Sequence, residues 1–157
     1  VIESRETFMS RYGALFEHSP WVVERAAERQ PLGDLHAGLM QVVYDATPEE
    51  QLALIRAHPE LAGKAAIDRT LTKESEAEQA SVGLDRLSPE EFAQFHDLNS
   101  RYAARFGFPF IICVRLTDKA GILAAMTERL SHDREAEIAT AITQISEIVR
   151  LRLEELK

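Results

Sequence analysis

Only one stretch of this chain, Phe108-Pro109-Phe110-Ile111-Ile112-Cys113-Val114, reads as extended and buried. A lone run of that kind has no second strand to pair with and cannot make a sheet. Helix signals, by contrast, recur from end to end. The expected fold is therefore all-α: a single-domain bundle of about eight helices over residues 1–157, with one apolar extended segment threaded through it.

The helix boundaries follow from local chemistry. Thr47-Pro48-Glu49-Glu50 combines a capping hydroxyl, a proline at the first helical position and a carboxylate that reaches back. Ser88-Pro89-Glu90-Glu91 repeats the pattern. The first of these helices is predicted to stop near Ala57, because Pro59 restricts the residue before it. The second is predicted to run to Phe106, with Gly107 as its stop. Further helices are expected from Glu6 to Phe16, Pro20 to Glu28, Leu35 to Asp45 and Lys73 to Val82, the last ending at Gly83. Asp118 and Asp133 are placed to cap two final helices over 119–131 and 134–156.

The chain of 157 residues carries a net charge of −8, which opposes nucleic acid and acidic lipid surfaces. Cys113 is its single cysteine, so an internal disulfide and a thiolate metal cluster are excluded. No apolar run is long enough to span a bilayer. Val1-Ile2-Glu3-Ser4-Arg5 has no leader character, and Glu154-Glu155-Leu156-Lys157 carries no peroxisomal tripeptide. A cytoplasmic location is the expectation.

Three groups of residues are equipped for chemistry. His58 follows a predicted helix end, where it either complements the helix dipole or serves as a proton carrier near neutral pH, with Pro59 fixing the backbone after it. Ser75, Glu78 and Gln79 share one helix face by their spacing. They form either a solvated surface beside Lys73, Glu74 and Glu76 or a hydrogen-bonding face for a small polar ligand. In the last helix Ile138, Ile142, Ile145, Val149 and Leu156 form an apolar stripe, and Arg152 falls on it. Its guanidinium either snorkels outward along its own stem, or pairs with a protein carboxylate or an anionic substrate.

In the Phe108–Val114 run, Cys113 reads as a small buried hydrophobe. Backbone amides left outside a ladder must find other partners, and a ligand is one. His18, His36, His58, His96 and His132 are scattered, and no H-E-x-x-H motif, Gly-rich phosphate loop or G-x-S-x-G elbow occurs. No metal site is expected; Glu128 and His132, one turn apart, are only a pair. The parts suit proton management on a small anion without a cofactor. The rivals are a helical interaction or regulatory module without catalysis, which should not tolerate inward polar residues, and a small metal-dependent hydrolase.

Four blocks resemble the OHCU decarboxylase family, where OHCU is 2-oxo-4-hydroxy-4-carboxy-5-ureidoimidazoline. They are Phe16-Glu17-His18-Ser19-Pro20-Trp21, Ala57-His58-Pro59-Glu60-Leu61-Ala62-Gly63, Glu78-Gln79 through Gly83-Leu84, and Phe106-Gly107-Phe108-Pro109-Phe110-Ile111-Ile112. They occur in family order and at family-like spacing over nearly the whole chain. The resemblance implies an all-α, cofactor-independent enzyme, usually a homodimer, that decarboxylates OHCU to (S)-allantoin on the route from urate. It implies catalytic roles for His58, Glu78 and Arg152, the last within Leu151-Arg152-Leu153. It implies substrate contacts from Pro59, Ser75 and Gln79 and from backbone atoms of Phe110, Ile111, Ile112, Cys113 and Val114. In such a reaction His58 either donates the proton or first accepts one from the 4-hydroxyl, and a nearby carboxylate favours its charged form.

Overall fold

The structure, a computed structural model, describes residues 2–63 and 70–157. Among the described residues it contains eight α-helices, one 3-10 turn and no strand. The helices are α1 (Arg5–Tyr12), α2 (Pro20–Glu28), α3 (Leu35–Asp45), α4 (Pro48–Arg56), α5 (Lys73–Ser81), α6 (Pro89–Phe106), α7 (Lys119–Arg129) and α8 (Arg134–Glu155), with the 3-10 turn at Val114–Leu116 between α6 and α7. No helix among these residues is long and apolar enough to cross a membrane.

The capping chemistry explains most of the boundaries. Thr47 and Ser88 each form a complete capping box, with Glu50 and Glu91 returning the bond to the cap amide. Asp118 and Asp133 accept from the amides of Gly121 and Ala136 at 2.8 and 2.7 Å. Gly107 closes α6 in the left-handed region at φ 79°, a conformation free of steric cost only for glycine. α1 is shorter than its pattern predicts. It stops at Tyr12, and the chain turns so that Leu15 and Phe16 enter the core from outside the helix.

By internal contacts the chain forms two compact units: residues up to Ala57 together with Ser146–Lys157, and residues His58–Ile145. In the first, α2 packs against α1 and α3, and Val22, Val23, Leu39, Val43 and, on α4, Leu54 and Ile55 are buried. The stripe of α8 contributes Val149 to this core, followed by Leu153 and not by Leu156, which is 56% exposed. Leu153 lies four residues beyond Val149, close to one full turn, whereas Leu156 lies past the helix end at Glu155.

In the second unit an aromatic cluster forms the centre. The Tyr102 ring meets Phe110 edge-on at 5.4 Å and Phe106 at 4.6 Å, and Phe106 stacks on Phe108 at 6.0 Å. Each such ring pair contributes roughly 0.5–1.5 kcal/mol beyond the area it buries. The apolar segment is buried at Phe110, Ile111 and Cys113 and belongs to no ladder. It is shorter than expected: turn bonds from Leu116 to Cys113 and from Thr117 to Val114 draw Val114 into the 3-10 turn.

Candidate active site

In the second unit, the site begins where α4 ends. Ala57 caps that helix in αR conformation, and the chain then leaves through His58 and Pro59. His58 is only 9% exposed, so it is a packed side chain and not a solvated helix-end ornament. The turn after it is pinned twice. Gln79 Oε1 accepts from the Ala62 amide at 3.0 Å, and Asn99 Nδ2 donates to the Leu61 carbonyl at 2.9 Å. Ala62 sits at φ 53°, a left-handed conformation that costs a residue with a Cβ about 1–2 kcal/mol. The two side-chain bonds hold it there.

On α5 the three singled-out residues do share a face, and that face is not solvated. Ser75 and Gln79 are buried and Glu78 is half-buried, while Lys73 and Glu76 are exposed. Thr72 caps the helix by accepting from the Ser75 amide at 3.2 Å. α5 also lies beside the Val114–Leu116 turn. α5 thus neighbours both the turn after His58 and the end of the apolar segment. The Gln79 carbonyl oxygen is committed to Ala62, which leaves its amino group as the part able to donate to a ligand.

The apolar segment is held by two side chains that sequence reasoning did not single out. Arg129 Nη1 donates to the Ile111 carbonyl at 2.8 Å, and Gln144 Oε1 accepts from the Cys113 amide at 2.9 Å. Among the described residues, the amides of Phe110, Ile111 and Ile112 donate to no acceptor.

Arg129 belongs to a buried network. Its Nε donates to Glu137 Oε1 at 2.8 Å, the same oxygen accepts from the Tyr102 hydroxyl at 2.5 Å, and His132 Nδ1 lies 2.8 Å from Glu137 Oε2. Glu137 is 0% exposed. A carboxylate only accepts, so His132 is the donor. Burial first, and the bond to Glu137 second, push the Tyr102 hydroxyl well above its ordinary range and keep it protonated. The Arg129 guanidinium also lies over the Phe110 ring at 4.2 Å. A signal for the pair was present: Arg129 follows Ile122 and Met126 at helical spacing, and Glu137 precedes Ala141 and Ile145 likewise.

In the first unit, Arg152 is 5% exposed, which removes the snorkelling alternative. Its Nη1 reaches Glu17 Oε1 at 3.4 Å and the Leu15 carbonyl at 3.3 Å. Glu17 is itself buried. Both distances are long beside the roughly 2.7–2.9 Å of a tight charge-assisted bond, so this is a loose holding contact.

Buried His58, Ser75, Gln79 and Arg152 run against the interaction-module reading, which had no place for inward polar groups. No group of three or more His, Cys, Asp or Glu able to hold a metal occurs among the described residues. A buried imidazole, a hydroxyl–carboxylate–amide face and unspent backbone donors can orient a small polar molecule and move a proton on it.

Residues 3–154 match the family described as OHCU decarboxylase. The chain is 42% identical over 156 residues to the 2-oxo-4-hydroxy-4-carboxy-5-ureidoimidazoline decarboxylase of Halalkalicoccus jeotgali, covering 97% of this chain and 86% of that protein. It is 39% identical over 154 residues to the uric acid degradation bifunctional protein PucL of Bacillus subtilis, of which it spans 30%. Among solved structures it is similar to an (S)-allantoin synthase, with TM-score 0.76 and 27% identity over 98% of this chain and 51% of that one. It shares its fold with an OHCU decarboxylase crystallised in the presence of (S)-allantoin, with TM-score 0.71, 20% identity and 98% of both chains covered.

Proposed function

The chain belongs to the OHCU decarboxylase family, and on that premise we propose how its residues divide the work of a cofactor-free decarboxylation. The activity is that of a carboxy-lyase: OHCU is converted to (S)-allantoin in urate degradation. The C–C bond to the carboxylate breaks and carbon dioxide leaves. The electron pair left on C4 forms a C4=C5 bond as the ring C=N passes its pair to nitrogen, which takes up a proton. The 4-hydroxyl then gives up its proton to become a carbonyl as C5, the carbon bearing the ureido group, is protonated. The substrate is its own electron sink, so no pyridoxal or thiamine is required.

In our reading His58 carries the proton, and Glu78 orients both the imidazole and the substrate. Ser75 and the Gln79 amino group hydrogen-bond the substrate's polar edge, and Pro59 sets the direction of the His58 turn. The backbone of Phe110 through Val114 supplies further contacts, and Arg152 binds carbonyl or carboxylate oxygens. The observation that carries this division is the bond from the Ala62 amide to Gln79, which ties the turn bearing His58 to the helix bearing Ser75 and Glu78. We further propose a homodimer acting in the cytoplasm, the first part of which light scattering after size-exclusion chromatography tests.

The decisive experiment is circular dichroism of the allantoin formed from freshly generated OHCU. Spontaneous decay protonates either face and yields a racemate. An excess of the S enantiomer that depends on this protein, and is lost in His58→Ala, is the expected result. A racemate with the intact protein, or an undiminished excess with His58→Ala, overturns the reading.

A further inference from the structure

Ile112 occupies an unusual position in the second unit. The carbonyl that precedes it, on Ile111, is taken by Arg129, and the amide that follows it, on Cys113, is taken by Gln144. Its own N–H and C=O make no hydrogen bond among the described residues. The only cis peptide bond in the described chain is Gln30–Pro31, so both peptide groups flanking Ile112 are trans. In a planar trans peptide the C=O and the N–H point in opposite directions. Fixing the Ile111 carbonyl toward Arg129 therefore fixes the Ile112 N–H away from Arg129. Fixing the Cys113 N–H toward Gln144 fixes the Ile112 C=O away from Gln144.

We propose that Arg129 and Gln144 are positioning residues for the decarboxylation: they grip the peptide groups on either side of Ile112 and aim that residue's own N–H and C=O at the substrate. One donor and one acceptor on a single residue match the adjacent N–H and C=O of a lactam or ureide, the class to which OHCU belongs. The inference rests on the reading that the Phe110–Val114 backbone contacts substrate.

The grip is built to be stiff. Arg129 cannot swing, because Glu137 holds its Nε and Phe110 lies under its guanidinium plane. Glu137 is in turn held by Tyr102 and His132. Gln144 reaches Cys113 from α8, in the helical stretch that also supplies buried Ala141 and Ile145. Neither side chain need touch substrate; each acts through one peptide plane.

The test is steady-state kinetics of the purified chain on freshly generated OHCU, with the melting temperature of each variant measured alongside. Gln144→Leu removes the acceptor, and KM is expected to rise roughly 2- to 12-fold, the equivalent of one hydrogen bond, with kcat changed by no more than about twofold. Gln144→Glu still offers an oxygen to the Cys113 amide and is expected to restore KM to within about twofold of the parent. Arg129→Lys retains a charge but loses the fork, and raises KM in the same manner. Unchanged KM in both Gln144→Leu and Arg129→Lys, whatever their melting temperatures, overturns the proposal. If Gln144→Leu does not fold, Gln144→Glu and Arg129→Lys decide it: parental KM in Arg129→Lys overturns it, and a raised KM there with Gln144→Glu parental supports it. His58→Ala in the same assay separates the two levels. Its inactivity beside an unmoved KM in the clamp variants sinks the clamp alone, whereas parental activity in His58→Ala sinks the catalytic reading beneath it.

Discussion

The side-chain oxygen of Gln79 accepts the backbone amide hydrogen of Ala62 at 3.0 Å, joining α5 to the turn that follows His58. A buried amide that loses its acceptor costs about 1–3 kcal/mol. Gln79→Leu should therefore lower the unfolding free energy by that amount and loosen the turn that positions His58. Gln79→Glu keeps an acceptor and should retain most of the stability. Urea denaturation of the two variants measures the difference; equal midpoints would show that the bond does not hold the turn.

Activity should separate cleanly from stability at the two proposed proton-handling residues. His58→Gln and Glu78→Gln preserve size while removing the titrating groups. Each is expected to slow (S)-allantoin formation about a hundredfold or more, as loss of general acid–base catalysis does. Their melting temperatures should stay near the parent's. Near-parental rates in either variant would remove that residue from the mechanism.

The Arg129–Glu137 pair should behave as a buried ion pair in a mutant cycle. Arg129→Met or Glu137→Leu alone leaves a charge stranded inside the second unit and should cost roughly 3–5 kcal/mol. The double variant strands neither charge, so its cost should fall below the sum of the two by at least about 1 kcal/mol. Chemical denaturation of the four proteins gives the coupling directly; strict additivity would contradict a shared network.

Acid should weaken the first unit through Glu50. Its bond to Arg25, and then the capping-box bond from the Thr47 amide, hold this carboxyl at about 2, down from its ordinary 4.5. The pKa is lower in the folded state, so the stabilisation is complete above 4.5 and is lost as pH falls toward about 2. Glu50→Gln can still close the capping box but cannot ionise. The melting temperature of the parent should therefore fall more steeply than that of Glu50→Gln across this window. Parallel curves would show that Arg25 and Glu50 contribute nothing in solution.

Where local chemistry sets a boundary, the helices were legible from residues alone. α2, α3 and α6 span the expected Pro20–Glu28, Leu35–Asp45 and Pro89–Phe106, the last between the Ser88 box and Gly107. α1 stops at Tyr12, short of the expected Phe16, because tertiary packing buries Leu15 and Phe16 from a turn and not from the helix. The chemical roles divide in the same manner. His58 and the α5 face were visible as residue types at a spacing, and Arg152 as a charge on an apolar stripe. Arg129 and Glu137 show in the sequence only as charges at helical spacing from apolar residues, and Gln144 not at all, because their importance lies in partners 5 to 35 residues away that no local period connects.

The network around Glu137 also bears on how such a chain can change over generations. Tyr102, Arg129, His132 and Glu137 come from separate segments but answer to one carboxylate. A single replacement at Arg129 or Glu137 passes through a protein with a stranded charge, so the path from this polar centre to an apolar one begins with a steep penalty. Across descendants of this chain, those two positions should drift together or stand still.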